Sequence, residues 1–235
     1  MKPVLLLIPG MLNTDAIWSR VIPLLAGQAD VRIADVCSQS SIDAMARDAW
    51  ALVADVPAGT PMIACGFSMG GYVAIEMQAH AQRRFDALAL LCTSARPESP
   101  EGAIVRDKTI AAIEKNFAKV VEGVLAFGTH PDTQAQPALM QELRELMLGI
   151  GADAAIRQNH AVKGRADNRA TLAQIDLPVL VIASRDDRII APAACEELAG
   201  AIPNARLEWL TGAGHMAPIE QPEQVARHLL SLIAP

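Results

Sequence analysis

Short runs of Val, Ile and Leu recur along the chain, each closed by turn residues and followed by a longer stretch in which apolar positions return every three or four residues. A run without alternation of apolar and polar positions reads as a strand buried on both faces, and the helical stretches between such runs supply two covering layers. The pattern predicts strands at residues 4–8, 31–34, 62–65, 87–92, 179–183 and 206–210. Three helices are marked by their ends. Ser41 is placed to cap a helix reaching about Val56, where Pro57-Ala58-Gly59 stops it. A second begins just past Ser68 and runs to about Gln82, and a last one, near residues 221–233, carries Pro222 in its first turn. The expected architecture is α/β, a mostly parallel sheet of about six strands with helices on both faces.

The alternation breaks between Cys92 and Leu177, and no strand-like run crosses residues 97–164. Helical patterns take over at 106–117, 118–127, 137–148 and 153–162, separated by Gly, Pro and His. A helical insert at that point is expected to form a lid over the carboxyl edge of the sheet. The chain then divides into a core, residues 1–96 and 165–235, and a lid, residues 97–164.

Composition narrows the class. The 235 residues suit one α/β domain with an insertion. Hydrophobic residues make up 51% but aromatics only 3%, so the core must be built from Ala, Leu, Ile, Val and Met. The formal charge of −6 is spread without long runs, and no Lys/Arg cluster could follow a phosphate backbone, which argues against nucleic acid as a partner. The apolar run after Lys2-Pro3 is too short for a signal peptide, and Pro9-Gly10 closes it. No stretch approaches the roughly 20 apolar residues of a spanning helix, so no membrane association and a cytoplasmic location are expected. Cys37, Cys65, Cys92 and Cys195 stand far apart, without metal-ligand or redox spacing, and read as reduced packing residues.

The strongest chemical signal is Gly66-Phe67-Ser68-Met69-Gly70-Gly71, directly after a predicted strand and before a helical pattern. A sharp strand-to-helix turn strains the serine backbone and leaves no room for neighbouring side chains, so glycines flank it and its hydroxyl projects above the sheet. A hydroxyl needs a base at neutral pH, and histidine is suited by its pKa. Of five histidines, His215 lies in Gly212-Ala213-Gly214-His215-Met216, a loop past the last predicted strand, from which a side chain can lean over the sheet edge. His80 and His228 fall in helical patterns and read as surface residues, whereas His130 and His160 belong to the insert. The base needs an acid to fix its tautomer. Ser184-Arg185-Asp186-Asp187-Arg188 offers two adjacent carboxylates at a strand end, Asp186 and Asp187. Trp18, Trp50 and Trp209 read as packing residues. Gly70-Gly71 reads as a close helix–sheet approach, since no phosphate-binding glycine pattern accompanies it. Glu220, beyond the histidine in the chain, reads as a surface or helix-capping residue.

With these residues in place, the chain resembles the α/β-hydrolases of the small esterase type, including the carboxylesterases that cleave pimeloyl-carrier-protein methyl ester. Leu5-Leu6-Leu7-Ile8-Pro9-Gly10-Met11, with Trp18 downstream, is similar to that family's strand and His-Gly-X segment. Residues 181–187 resemble its strand followed by Gly-X-X-Asp, which puts Asp187 ahead of Asp186. Residues 203–215, and on to Glu220-Gln221-Pro222, resemble its histidine segment. Three departures stand out: Pro9 replaces the usual His, Ser184 replaces Gly, and the sequence opens directly on the strand before Gly10, which implies that the family's N-terminal antiparallel strands are missing.

The resemblance implies the α/β-hydrolase fold and a Ser68–His215–Asp187 triad, with an oxyanion hole formed by the backbone N–H groups of Met11 and Met69. It implies acyl transfer from an ester to water through an acyl-enzyme, with no cofactor and no metal. The insert's Ile, Leu, Val, Ala and Phe side chains point to a small-to-medium apolar ester as the partner molecule. The same triad serves hydrolysis of a carbon–carbon bond, a lactone or a thioester, and also a slow-turnover ligand receptor. A homodimer is compatible with the sequence.

Overall fold

The apolar runs pair side by side in a computed structural model that describes residues 2–25 and 27–233. In chain order the elements are β1 (Val4–Ile8), β2 (Asp30–Ile33), α1 (Ile42–Leu52), β3 (Met62–Phe67), α2 (Met69–Ala79) and β4 (Ala87–Leu91). An all-helical stretch follows: α3 (Pro100–Gly128), α4 (Pro131–Gln134), α5 (Pro137–Gly149), α6 (Ala152–Lys163) and α7 (Arg169–Leu172). The chain then returns through β5 (Val179–Ser184), α8 (Pro192–Ala201), β6 (Ala205–Leu210), α9 (Ala217–Glu220) and α10 (Pro222–Ile233). The six strands form one sheet in the order β2-β1-β3-β4-β5-β6, every pairing parallel.

All residues of β1, β3, β4 and β5 are buried, whereas the edge strands β2 and β6 are only partly covered. Successive side chains point to opposite faces. Leu6, Ile8, Ala64, Leu88, Leu90 and Val181 therefore pack against α1, α2 and α8. Leu5, Leu7, Ile63, Cys65, Leu91 and Ile182 pack on the other face with α10 and with Val121, Leu125, Leu143 and Met147 of the helical stretch. Two covered faces are the reason these strands show no apolar/polar alternation.

The chain leaves β1 toward one edge of the sheet and returns on β1's other side as β3. The loops after β1 and β3 thus diverge at the sheet's topological switch point, where open α/β sheets bind their ligands. Gly10 follows β1, and a Cβ there would lie 3.0 Å from the Phe67 ring and 3.1 Å from the Ser68 Cβ.

Several element limits differ from the sequence expectation. Helix α1 ends at Leu52 instead of Val56, because Val53 and Val56 bury their side chains from three-residue turns rather than a continuing helix. Helix α2 stops at Ala79, three residues short of the expected end. The two helices expected at 106–117 and 118–127 are one element that starts earlier, where the Ser99 side chain accepts from the Gly102 amide at 2.9 Å and Pro100 occupies the first turn. It is kinked at Asn116, whose backbone leaves the helical region and whose Oδ1 caps Lys119 N at 3.0 Å. Trp18 is fully buried edge-on to Phe67, and Trp50 stacks on Phe85 with ring centroids 4.8 Å apart. Trp209 is partly exposed beneath the Arg185 guanidinium. All four cysteines are free. No helix among the described residues is long and apolar enough to cross a membrane.

The approach of α2 to the sheet sets a sharp steric limit. A Cβ on Gly70 would overlap the Ile8 carbonyl oxygen, and one on Gly71 would overlap the Thr93 side chain. Gly70→Ala is expected to destabilise the fold by about 3 kcal/mol. Gly123→Ala, in α3 with open space around it, is expected to stabilise by about 0.5–1 kcal/mol. Urea titration of both variants checks the contrast; equal midpoints would contradict it.

Candidate active site

Ser68 joins β3 to α2 with φ 52° and ψ −116°, a left-handed conformation that a residue bearing a side chain adopts only when its surroundings enforce it. The enforcement is visible in the bonds on each side: Ser68 N donates to Leu91 O at 2.9 Å, and Thr93 Oγ1 donates to Ser68 O at 2.7 Å. Gly66 is obligatory for the same turn, because a Cβ there would overlap the Gly70 carbonyl and the Gly71 Cα. The result is a partly exposed hydroxyl at the carboxyl end of β3, amid buried neighbours.

His215 Nε2 lies 2.9 Å from Ser68 Oγ, and His215 Nδ1 lies 2.7 Å from Asp187 Oδ2. The His215 and Asp187 side chains are 4% and 2% exposed, so water hardly competes for this bond. The second carboxylate oxygen of Asp187 accepts from the amides of Ile189 and Ile190, both at 2.8 Å, so the group cannot rotate without losing partners. A carboxylate accepting from Nδ1–H leaves Nε2 free to accept from the serine hydroxyl. Asp186 points elsewhere: it is 52% exposed and lies 3.6 Å from His130 Nε2. Ser184, which stands where the resembled family has Gly, donates its hydroxyl to Ala213 O and so ties the end of β5 to the His215 loop.

The side chains of the remaining histidines take no part in this chain of bonds. His80 is exposed and faces Glu76, and His160 is exposed on α6. His228 is half-buried on α10, where burial pushes its pKa down. His130 caps α4, its Nδ1 accepting from Asp132 N at 3.1 Å. Met69 opens α2, so its amide has no earlier helical carbonyl to bond. Met11 lies in the turn after Gly10, and its amide has no backbone acceptor among the described residues. Nearby, Arg106 reaches to 3.8 Å from Met11 Sδ and shares Glu98 with Arg165. Burial pushes the Glu98 carboxyl up, but the two guanidinium groups together hold it below its usual range.

Glu220 is not the surface or helix-capping residue expected from its place in the chain. Its Oε1 accepts from His130 N at 2.7 Å and its Oε2 from Gly214 N at 2.9 Å. His215 N in turn donates to Gly128 O at 2.6 Å. The loop carrying His215 is therefore bonded to the α3–α4 junction, a contact close enough that a Cβ on Gly214 would overlap the Gly128 carbonyl. The glycines at 128 and 214 were the only sign of it in the sequence, and nothing there pairs them.

Removing the Glu220 carboxylate strands two amides. Glu220→Ala is expected to cost about 1–3 kcal/mol. Burial raises the Glu220 pKa, so the folded chain holds that proton more tightly than the unfolded chain. The contribution is fully present below the unfolded value of about 4.3 and declines as pH rises through the folded value. The wild-type advantage over Glu220→Ala should thus shrink from pH 4 toward pH 7 in thermal melts; growth over that interval would contradict it.

The chain matches the alpha/beta hydrolase fold family over residues 3–222. A pimeloyl-[acyl-carrier protein] methyl ester esterase of Nitrosomonas europaea is 27% identical, over 94% of this chain and 92% of its own length. Among solved structures, a thermophilic esterase from Thermogutta terrifontis has a TM-score of 0.88 at 24% identity, covering 100% of this chain and 91% of its own. The enol-lactonase from Burkholderia xenovorans LB400 also has a TM-score of 0.88, at 22% identity, covering 100% and 92%. The fold, and a family match that takes in nearly every element described above, agree: the chain belongs to the alpha/beta hydrolase fold family.

Proposed function

We propose that the chain hydrolyses a carboxylic ester of a small-to-medium apolar substrate through an acyl-enzyme at Ser68. The observation that carries this reading is the continuous hydrogen-bonded path from Ser68 through His215 to Asp187, ending on a serine at positive φ. Ester hydrolysis is also what the printed name of the Nitrosomonas relative describes for that protein.

In this mechanism Ser68 Oγ attacks the ester carbonyl while His215 Nε2 takes its proton. Asp187 remains ionised, holding the imidazole in the required tautomer and offsetting its positive charge. The tetrahedral intermediate places its oxyanion between the amides of Met11 and Met69. The second of these opens an 11-residue helix whose dipole favours negative charge at that end. His215 then passes the proton to the leaving alcohol, and a water activated by the same nitrogen cleaves the acyl-enzyme.

Residues 97–164 act as the lid in this reading, with Arg106, Gly128 and His130 already set against the loops around Ser68. One exposed apolar side chain stands near the base: Ile189 is 38% exposed, and a Cβ on Gly128 would meet both Ile189 Cδ1 and His215 Cβ, whereas Phe127 lies under the Arg188 guanidinium. Ile189 at that place suits an acyl or alkyl group better than a polar one.

A p-nitrophenyl ester should give Ser68-dependent turnover with a stoichiometric burst. Ser68→Ala is expected to lose about 10⁵- to 10⁶-fold in kcat, and Asp187→Asn about 10⁴-fold through the wrong tautomer. Undiminished turnover in Ser68→Ala would rule the mechanism out. Parallel assays of lactones, thioesters and carbon–carbon substrates locate the bond class.

A further inference from the structure

Two residues of α6, Arg157 and Gln158, reach out of the helical stretch into the loops after β1 and β2, and the next residue, Asn159, faces α3. Gln158, 0% exposed, spans the two loops: its Oε1 accepts from Leu12 N at 2.8 Å and its Nε2 donates to Val36 O at 3.0 Å. Arg157 donates twice to Cys37 O, at 3.0 and 2.9 Å. Asn159 Oδ1 lies 3.5 Å from Arg106, the residue that touches Met11 Sδ.

The Leu12 contact has a particular geometry. Leu12 has φ 62°, one of three non-glycine residues at positive φ in the described chain, beside Ser68 and Cys92. Such a conformation persists only where surrounding bonds hold it. The peptide unit joining Met11 to Leu12 is held at both ends, its N–H by Gln158 and its carbonyl by Asn13 Nδ2 at 2.8 Å. The preceding peptide carries the Met11 N–H, so the orientation of that donor is fixed by the peptide that Gln158 and Asn13 clamp. The bond from Leu12 to Gln158 spans 146 residues, so the local turn alone does not supply it.

We propose that Gln158 is a positioning residue for ester hydrolysis: by holding the Leu12 amide it aims the Met11 amide at the oxyanion, making α6 part of the catalytic apparatus. The inference rests on the proposed ester hydrolysis at Ser68 and on Met11 as an oxyanion donor. A misaimed donor weakens the transition state more than the bound substrate, so the loss falls on kcat.

Gln158→Met keeps the length of the side chain and removes both hydrogen bonds. It is expected to lower kcat 10- to 100-fold with KM within about 3-fold of wild type. A trifluoromethyl ketone, whose carbonyl carbon is attacked by Ser68 Oγ as the hydroxyl proton passes to His215 Nε2, leaves a hemiketal oxyanion in the hole and should lose affinity by the same factor. The corresponding methyl ketone should bind unchanged. Gln158→Glu, which keeps an acceptor for Leu12 N, should recover most of the loss. Val162→Ala, a buried change elsewhere on α6, should lower the melting temperature without this signature. Should Gln158→Met lack a thermal transition, Asn13→Ala releases the other end of the same peptide and carries the same test. Wild-type-like kcat and trifluoromethyl ketone affinity in the folded variant, or a loss confined to KM, overturns the inference while leaving Ser68-dependent hydrolysis standing. Absence of Ser68-dependent turnover in the wild-type chain overturns both.

Discussion

The turn between β3 and α2 brings helix backbone against sheet backbone with no side chain between them. Gly66 and Gly70 remove the atoms that would collide, and Gly71 does the same against Thr93. With that contact made, Ser68 has no alternative to its left-handed conformation, and its hydroxyl must stand clear of the sheet. The rest of the architecture brings an imidazole and a carboxylate to that fixed point. Parallel strands achieve this by delivering every β-to-α loop to the same edge: Gly10 from β1, Ser68 from β3, Asp187 from β5 and His215 from β6.

The helical stretch between β4 and β5 holds that edge together. The backbone of the His215 loop bonds to Gly128 directly and to His130 through Glu220. The loop after β1 bonds to Gln158, and the loop after β2 bonds to Gln158 and Arg157. The stretch thus touches loops on both sides of Ser68, with bonds to backbone atoms that define loop shape rather than to exposed side chains. Loops in this position would otherwise sit at the low-stability end of a fold.

Legibility in the sequence followed the range of the interaction. The central strands were readable because burial on both faces leaves a local mark, an apolar run closed by a turn. Ser68 was readable because its glycines are its immediate neighbours. Helix ends were misjudged where apolar spacing continued past the helix, as at Val53 and Val56, or where a kink was set by one side-chain cap, as at Asn116. Asp187 and Asp186 are adjacent and identical in type; the resemblance put Asp187 first, and the bond to His215 with those from Ile189 and Ile190 sets it apart. Glu220 was misread because one of its partners lies 90 residues away, and Gln158 gave no signal because its partners lie more than 120 residues away.

The bond between Ser68 and His215 spans 147 residues and the one between Leu12 and Gln158 spans 146. Contacts so remote in sequence form late, after the loops that separate them have lost their freedom. The turn that carries Ser68 draws its partners from the first half of the chain, Ile8, Leu91 and Thr93, whereas His215 comes from beyond the last strand. Under the proposed mechanism, hydrolytic competence therefore waits on the loop after β6, which spares surrounding esters from a serine that is exposed but not yet controlled.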